Sequence, residues 1–331
     1  MIEPPSRPLL STLTELDLCT PRDVRRCRRR VRRLARDVPA FDSVWIDALL
    51  QLRRLTPFQA RLLESPRPQR LNVGPCVLLD ALGHGRIART YLARRRAGRE
   101  RCVVKTFEGP PEWLGWALPR VQATVEGLTD FAHPSVVAPH ACLRERNLLV
   151  TVSRFVPGLT LEELLIRRGR FPVPVVLDLA GQLIDALAAL EERGGLHGDI
   201  RLRNVRLTNG GIAALVDAGI APAVQPELTI HAGLPPDRYD GTAPERIGTA
   251  APATAASDLY ALGCLLWQLL AGRPPFPTGD PLAKLAAHQT REIDDVRRWA
   301  PDAPADLAAA IRTFTARDPH GRPQTFGEVR E

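Results

Sequence analysis

The feature that most constrains the fold is a change of apolar periodicity near residue 71. Before it, apolar residues recur at three- and four-residue steps. After it come short apolar runs at 76–81, 90–94, 102–107 and 148–155, separated by glycine turns. Beyond Gly158 helical patterns return over 160–168, 173–193, 257–271 and 304–317. A strand-rich block followed by a longer helical block predicts an α+β chain with two lobes and a cleft between them. The 331 residues suffice for about two domains.

Residues 1–70 read as a small helical leader and linker. Thr20-Pro21-Arg22-Asp23 is a helix start, with a hydroxyl cap, proline at the first helical position and a carboxylate three residues after the cap. Val24, Cys27, Val31, Leu34 and Val38 then form one apolar stripe on an arginine-covered helix. A second helix is predicted over 43–55, and a third runs from Thr56-Pro57 to the Ser65-Pro66-Arg67-Pro68 linker. The leader holds 15 Arg against 8 acidic residues, so nearly all of the chain's net charge of +8 resides there. Arg25, Arg26, Arg28, Arg29, Arg30, Arg32, Arg33 and Arg36 could meet nucleic acid or an acidic surface. The other reading is a solvated face whose apolar stripe docks on the rest of the chain. No aromatic residue is interleaved to stack on bases, so nucleic acid is not the expected partner.

Other classes are disfavoured. The longest near-continuous apolar run, 259–271, contains Gln268 and falls short of the ~20 residues a bilayer needs. Residues 1–11 hold three prolines and no apolar signal core. Six cysteines are scattered without a C-x-x-C pair, which suits buried thiols in a reducing compartment better than zinc or disulfides. A cytoplasmic location without a membrane span is therefore expected.

The chemistry-bearing residues come in a telling order. Gly83-His84-Gly85 lies between two strand-like runs, where glycine lets a backbone approach phosphates, or simply closes a hairpin. Lys105 ends the next apolar run. The 45 basic residues include only one other lysine, Lys284, so its retention is informative. An ammonium there can pair with nucleotide phosphates, or lie exposed at a strand end. His197-Gly198-Asp199-Ile200-Arg201-Leu202-Arg203-Asn204 spaces an acid and an amide, and Asp217-Ala218-Gly219 adds a second acid after a short apolar run. Each acid alone reads as a loop cap or turn former. Together they match phosphoryl transfer, which needs an acceptor for the hydroxyl proton and ligands for magnesium.

In these residues the sequence resembles the eukaryotic-type protein kinase family, in its bacterial serine/threonine branch, over roughly 73–331. Gly83 and Gly85 resemble the glycine-rich loop, and Lys105 the strand-three lysine. His197–Asn204 resembles the catalytic loop, Asp217-Ala218-Gly219 the D-F-G segment, and Ala243-Pro244-Glu245 the A-P-E motif. His133-Pro134 also agrees, as does Ser257-Asp258-Leu259, whose Asp would brace the catalytic loop. Asp318-Pro319 with Arg322-Pro323 resembles the closing motif, whose Arg pairs with the A-P-E Glu. By the same resemblance Ser153 falls at the gatekeeper position, with Arg154 to Val156 at the adenine-binding hinge. The implied fold is two-lobed and protein-kinase-like, with a β-rich N-lobe at about 73–155 and a helical C-lobe at about 156–331, after the leader. The implied activity is transfer of the ATP γ-phosphate to a protein serine or threonine hydroxyl. Asp199, Lys105 and Arg201 are the implied catalytic residues. Gly83, Gly85, Lys105, Ser153, Arg154 and Val156 would hold ATP, and Asn204 and Asp217 would hold Mg2+. A protein substrate is the implied partner.

Departures from the pattern set out an alternative, a pseudokinase acting through protein contacts. Thr124 stands where a helix glutamate should pair with Lys105; Gln122 and Glu126 are one step away. Gly198 replaces the arginine that reads a phosphorylated activation loop. Arg201 replaces a catalytic-loop lysine, keeping its charge without its compact geometry. Ala88 replaces the third loop glycine. Thr90 and Val103 alter the roof over the adenine, and Arg206 falls on its apolar floor. The proline-rich stretch 220–241 reads as a loop rather than a helix, with Thr229, Tyr239 and Thr242 as its candidate phosphorylated hydroxyls.

Overall fold

The computed structural model describes residues 3–36, 39–85, 88–228 and 234–330. Val38, Arg86, Ile87 and Thr229 lie outside the described residues. Four helices come first: α1 (Arg7–Glu15), α2 (Pro21–Ala35), α3 (Asp42–Gln51) and α4 (Pro57–Leu63). Strands β1 (Asn72–Val73), β2 (Cys76–His84), β3 (Ala88–Arg95) and β4 (Arg101–Glu108) follow. Then come α5 (Pro111–Gly127), β5 (Val136–Val137), β6 (Pro139–Glu145), β7 (Leu148–Arg154) and β8 (Leu159–Thr160). The remainder holds α6 (Leu161–Arg168), α7 (Val173–Glu191), β9 (Val205–Leu207), β10 (Ala213–Val216), α8 (Ile220–Val224) and α9 (Ala255–Ala271). It closes with α10 (Pro281–Thr290), α11 (Ala305–Phe314) and α12 (Phe326–Arg330). The chain divides into two compact units. One is Met1–Pro111 with Leu143–Phe155, and the other is Glu112–Cys142 with Val156–Glu331.

In the first unit the helix signals act as expected. Thr20 and Asp23 cap each other's backbone at the start of α2, and Thr56 and Gln59 do the same for α4. On α2 the buried stripe is Val24, Cys27, Val31 and Ala35; Leu34 is exposed, because a 3.6-residue period carries the stripe to Ala35 instead. That stripe packs on α3, and α4 docks on β2. The β2–β3 register slips between Leu78 and Asp80, and the interrupted ladder is served by α4. Gln59 Nε2 donates to the Leu78 carbonyl at 2.9 Å, and the Thr56 hydroxyl donates to that of Leu79. Asp17, after α1, accepts from Arg94 and Arg99, each at 3.0 Å. Strand order in the sheet is β1-β2-β3-β4-β7-β6.

The second unit is built on α7 and α9. Helix α9 is apolar all round and accordingly buried all round. Gly263 lets α11 come close: a Cβ there would lie 2.9 Å from Phe314 Cβ and 2.7 Å from Thr315 Cγ2. Helix α7 is long and apolar enough to cross a membrane by composition, but Val176, Leu179, Leu183, Leu187 and Leu190 are buried in this core. A four-stranded sheet, β5-β10-β9-β8, flanks it. The 220–241 stretch departs from the loop expectation, because Ile220–Val224 is helical. Gly219 supplies the left-handed turn before it, and Pro222 sits in the first turn, where no intrahelical N–H bond is lost. Ile220, Ala223 and Val224 are buried.

Candidate active site

The helical unit carries its polar residues on a loop braced from below. Thr254 caps α9 and sets Asp258, 2% exposed, in the first turn. Its carboxylate accepts the backbone N–H groups of His197, at 2.9 Å, and Gly198, at 3.0 Å. Burial pushes the Asp258 carboxyl upward, while the neighbouring imidazole of His197 and the two N–H groups oppose it. His197 is fully buried and joins two segments. Its Nε2 meets the Val216 carbonyl at 3.0 Å, and its Nδ1 accepts the Asp199 N–H at 3.2 Å. Both contacts are satisfied by one neutral tautomer, protonated at Nε2. Gly219 N–H closes the link by donating to the His197 carbonyl at 3.3 Å. The loop bearing Asp199 and Asn204 and the turn bearing Asp217 are thus tied through one imidazole.

Asp199 is held by side chains from more than one segment. Asn204 Nδ2 donates to its carbonyl and to its Oδ2, both at 2.8 Å. That orientation turns the amide oxygen of Asn204 the other way, as a cation ligand requires. Arg201 Nε stands 3.3 Å from Oδ2 but is not aimed to bond it, and makes no hydrogen bond. Burial pulls the Arg201 guanidinium below its usual range, and Asp199 pulls it back. Arg238, from the segment before the A-P-E motif, donates Nη1 to Asp199 Oδ1 at 2.6 Å. Asp217 follows β10 with φ +66° and leads into the left-handed Gly219. A Cβ on Gly219 would lie 2.7 Å from Thr124 Cγ2. Helix α5 therefore lays Thr124 over this turn, while Gln122 and Glu126 are exposed.

Two departures have structural reasons. Gly198 has φ +75°, and a Cβ there would come within 2.6 Å of the Pro222 ring, so the proline of α8 fills the room an arginine side chain would need. Arg206 donates Nε to the Val156 carbonyl at 3.0 Å and Nη2 to that of Gly158. Its guanidinium is held down by backbone acceptors, and burial lowers it. The expected pairing of Glu245 with Arg322 is present and bidentate, at 2.8 and 3.0 Å.

The sheet unit presents the other candidates on one face. Lys105 on β4 pairs with Thr90 on β3 and Thr151 on β7, and Val103 pairs with Leu92 and Ser153. Because side chains alternate, Thr90, Val103, Lys105 and Ser153 share a face. Lys105 Nζ lies 5.6 Å from the Phe107 ring centre. Gly83 sits opposite Thr90, and Gly85 N–H donates to Ala88 at 2.7 Å across the turn. Arg154, at the end of β7, is exposed, and Val156 beyond it is buried. Among the expected phosphorylated hydroxyls, Tyr239 is fully buried and Thr242 half-buried.

Sequence reasoning missed Arg238 and the part played by Lys284. Lys284, 3% exposed at its side chain, forms an ion pair with Asp240. The scarcity of lysine had marked it; nothing local marks Arg238.

Comparisons with known proteins give the family and the fold. Residues 77–329 match the family described as protein kinase domain. Serine/threonine-protein kinase PrkC of Bacillus subtilis is 26% identical over 252 residues, covering 76% of this chain and 39% of that protein. Serine/threonine-protein kinase PknE of Mycobacterium bovis is 29% identical over 261 residues, 77% of this chain and 45% of that one. A probable serine/threonine-protein kinase of Streptomyces coelicolor is 30% identical over 276 residues, 80% and 40%. The chain thus spans less than half the length of these relatives. The crystal structure of the Mycobacterium tuberculosis PknI kinase domain, as a double mutant, matches with a TM-score of 0.61 at 22% identity, over 78% of this chain and 93% of that one.

Proposed function

Because the chain belongs to the protein kinase family, in its bacterial serine/threonine branch, and has its two-lobed fold, we propose that it transfers the γ-phosphate of ATP to a serine or threonine hydroxyl of a protein. Asp199 would take the hydroxyl proton as the hydroxyl oxygen bonds phosphorus and the bond to the departing ADP oxygen breaks. Asn204 fixes the Asp199 carboxylate through its Nδ2, which would leave its amide oxygen for a cation, and this contact is the observation that carries the reading. Asp217 would complete the donor set. Among the described residues no cluster of three or more His, Cys, Asp or Glu forms a cage. One carboxylate and one amide fit a magnesium ion whose remaining ligands are phosphates and water. Bound there, the ion would neutralise phosphate charge.

Lys105 would meet the phosphates, with Gly83 and Gly85 allowing the turn to approach them. Ser153, Arg154 and Val156 would border the purine. Arg206, anchored by the carbonyls of Val156 and Gly158, would offer a guanidinium plane to the purine in place of an apolar floor. We further propose a cytoplasmic location, which six cysteines scattered without a C-x-x-C pair support.

Thermal melting with ATP and magnesium tests nucleotide binding. At 100 times the dissociation constant the ligand should stabilise the protein by about 2.7 kcal/mol. An unchanged melting temperature at millimolar ATP would contradict the reading and return the chain to a non-catalytic role.

A further inference from the structure

The carboxylate of Asp199 is occupied by a residue of its own chain. Arg238 Nη1 lies 2.6 Å from Oδ1, on the acid that would receive the substrate proton. This contact is not a loose surface pair, because the turn carrying Arg238 is fixed on both sides. Asp237 pairs with Arg203 at 3.2 Å, and Arg203 is itself held by Glu162 at 2.7 Å. Tyr239 is fully buried against Ile247 and Leu285. Asp240 pairs with the buried Lys284. Arg238 is therefore delivered to Asp199 with little rotamer freedom left to lose. Both partners nonetheless reach solvent, with side-chain exposures of 24% and 17%, so a ligand can compete for them.

The surroundings favour one kind of competitor. Arg201 and Arg246 line the same cavity as Asp199 and Arg238, and each has a buried Nε with no hydrogen-bond partner. The three guanidinium groups share this cavity with the carboxylates of Asp199, Glu227 and Asp258, the last of them taken up by the backbone N–H groups of His197 and Gly198. A neutral peptide reaching Asp199 must break the ion pair and leave Arg238 without a charge partner. A peptide with a carboxylate beside its hydroxyl offers Arg238 a replacement, so the number of ion pairs is conserved as the base is released.

We infer that Arg238 is a specificity-determining residue, which withholds Asp199 from neutral peptides and releases it to serine or threonine peptides flanked by acidic side chains. This rests on the kinase reading for its catalytic consequence, but the exchange itself is a binding property.

The test uses two serine peptides of equal length, one with glutamates flanking the serine and one with glutamines. The full-length chain, Arg238→Ala and Arg238→Lys are compared. kcat/KM should favour the glutamate peptide about tenfold or more in the natural protein. Arg238→Ala should bring the ratio to about one by raising the rate on the glutamine peptide, and Arg238→Lys should keep the preference. Alanine-for-serine versions of both peptides, labelled with a fluorophore, report binding by anisotropy and should show the same ranking. An equal response to the two peptides in the natural protein would overturn the inference. So would a preference that survives in Arg238→Ala, or rates on both peptides that fall together in that variant. Absence of transfer from every protein, with the binding preference present and lost in Arg238→Ala, would support the inference and refute the kinase reading.

Discussion

Two regions of this molecule are rich in arginine, and they use it in opposite ways. On α2, Arg25, Arg26, Arg28, Arg29, Arg32 and Arg33 are exposed, and Arg26 reaches the Asp23 carboxylate only as a weak, distant charge. Around Asp199, Arg201, Arg238, Arg246 and Arg322 are wholly or partly buried, and each faces a carboxylate or a carbonyl. The first region dominates the net charge and is solvated; the second adds little net charge and holds the loop on which the chemistry depends. Charge that shapes a site is neutralised charge, with both members of each pair placed by the backbone.

This contrast can be broken from the buried side first. Arg322 has a fully buried side chain that pairs with Glu245 and also donates to the carbonyls of Ala316, Arg317 and Ala256. Arg322→Ala should cost about 3–5 kcal/mol, read as a fall in urea midpoint at unchanged slope. Gly198→Ala combines a left-handed residue with a 2.6 Å approach to Pro222 and should cost about 1–3 kcal/mol by the same measurement. The third prediction concerns pH. His288 is fully buried, its Nδ1 meets the Tyr260 hydroxyl at 2.8 Å, and burial followed by the Lys284 charge lowers its pKa to about 3. The folded state keeps it neutral while the unfolded chain binds a proton below about 6.5, so stability falls as pH drops from 6.5 toward 3. The slope should approach about 1.4 kcal/mol per pH unit more than in His288→Gln, measured by urea unfolding at pH 7, 6 and 5. The smallest effect belongs to α2. Replacing Arg29 and Arg33 by glutamine should shift stability by less than about 0.5 kcal/mol, toward greater stability at low salt, since these like charges lie one turn apart. A loss of several kcal/mol there would erase the contrast.

Features that depend on near neighbours were legible before any coordinates. The Thr20–Asp23 box set the start of α2, and the apolar runs marked β2, β3, β4 and β7 to within a few residues. The ordered polar motifs singled out Asp199, Asn204 and Asp217 as candidates, because phosphoryl transfer restricts residue type and spacing together, and the family resemblance gave the Glu245–Arg322 pair, which is formed. Short or masked elements were harder. Helix α1 was not predicted, and β6 opens with a proline that its position at the sheet edge tolerates. Helix α8 was hidden by Pro222. Arg238 was invisible for a different reason: its partner lies 39 residues earlier, and no periodicity or motif joins the two.

The central claim is that Asp199, oriented by Asn204, receives the proton of a protein hydroxyl. Phosphate transfer from γ-labelled ATP to a serine substrate, compared between the natural chain and Asp199→Asn, tests it most directly. The account predicts measurable transfer that falls by about 10²–10⁴-fold in the variant, with ATP and magnesium still raising its melting temperature. Transfer that is undiminished in Asp199→Asn, or absent from the natural chain on every serine substrate, would contradict it.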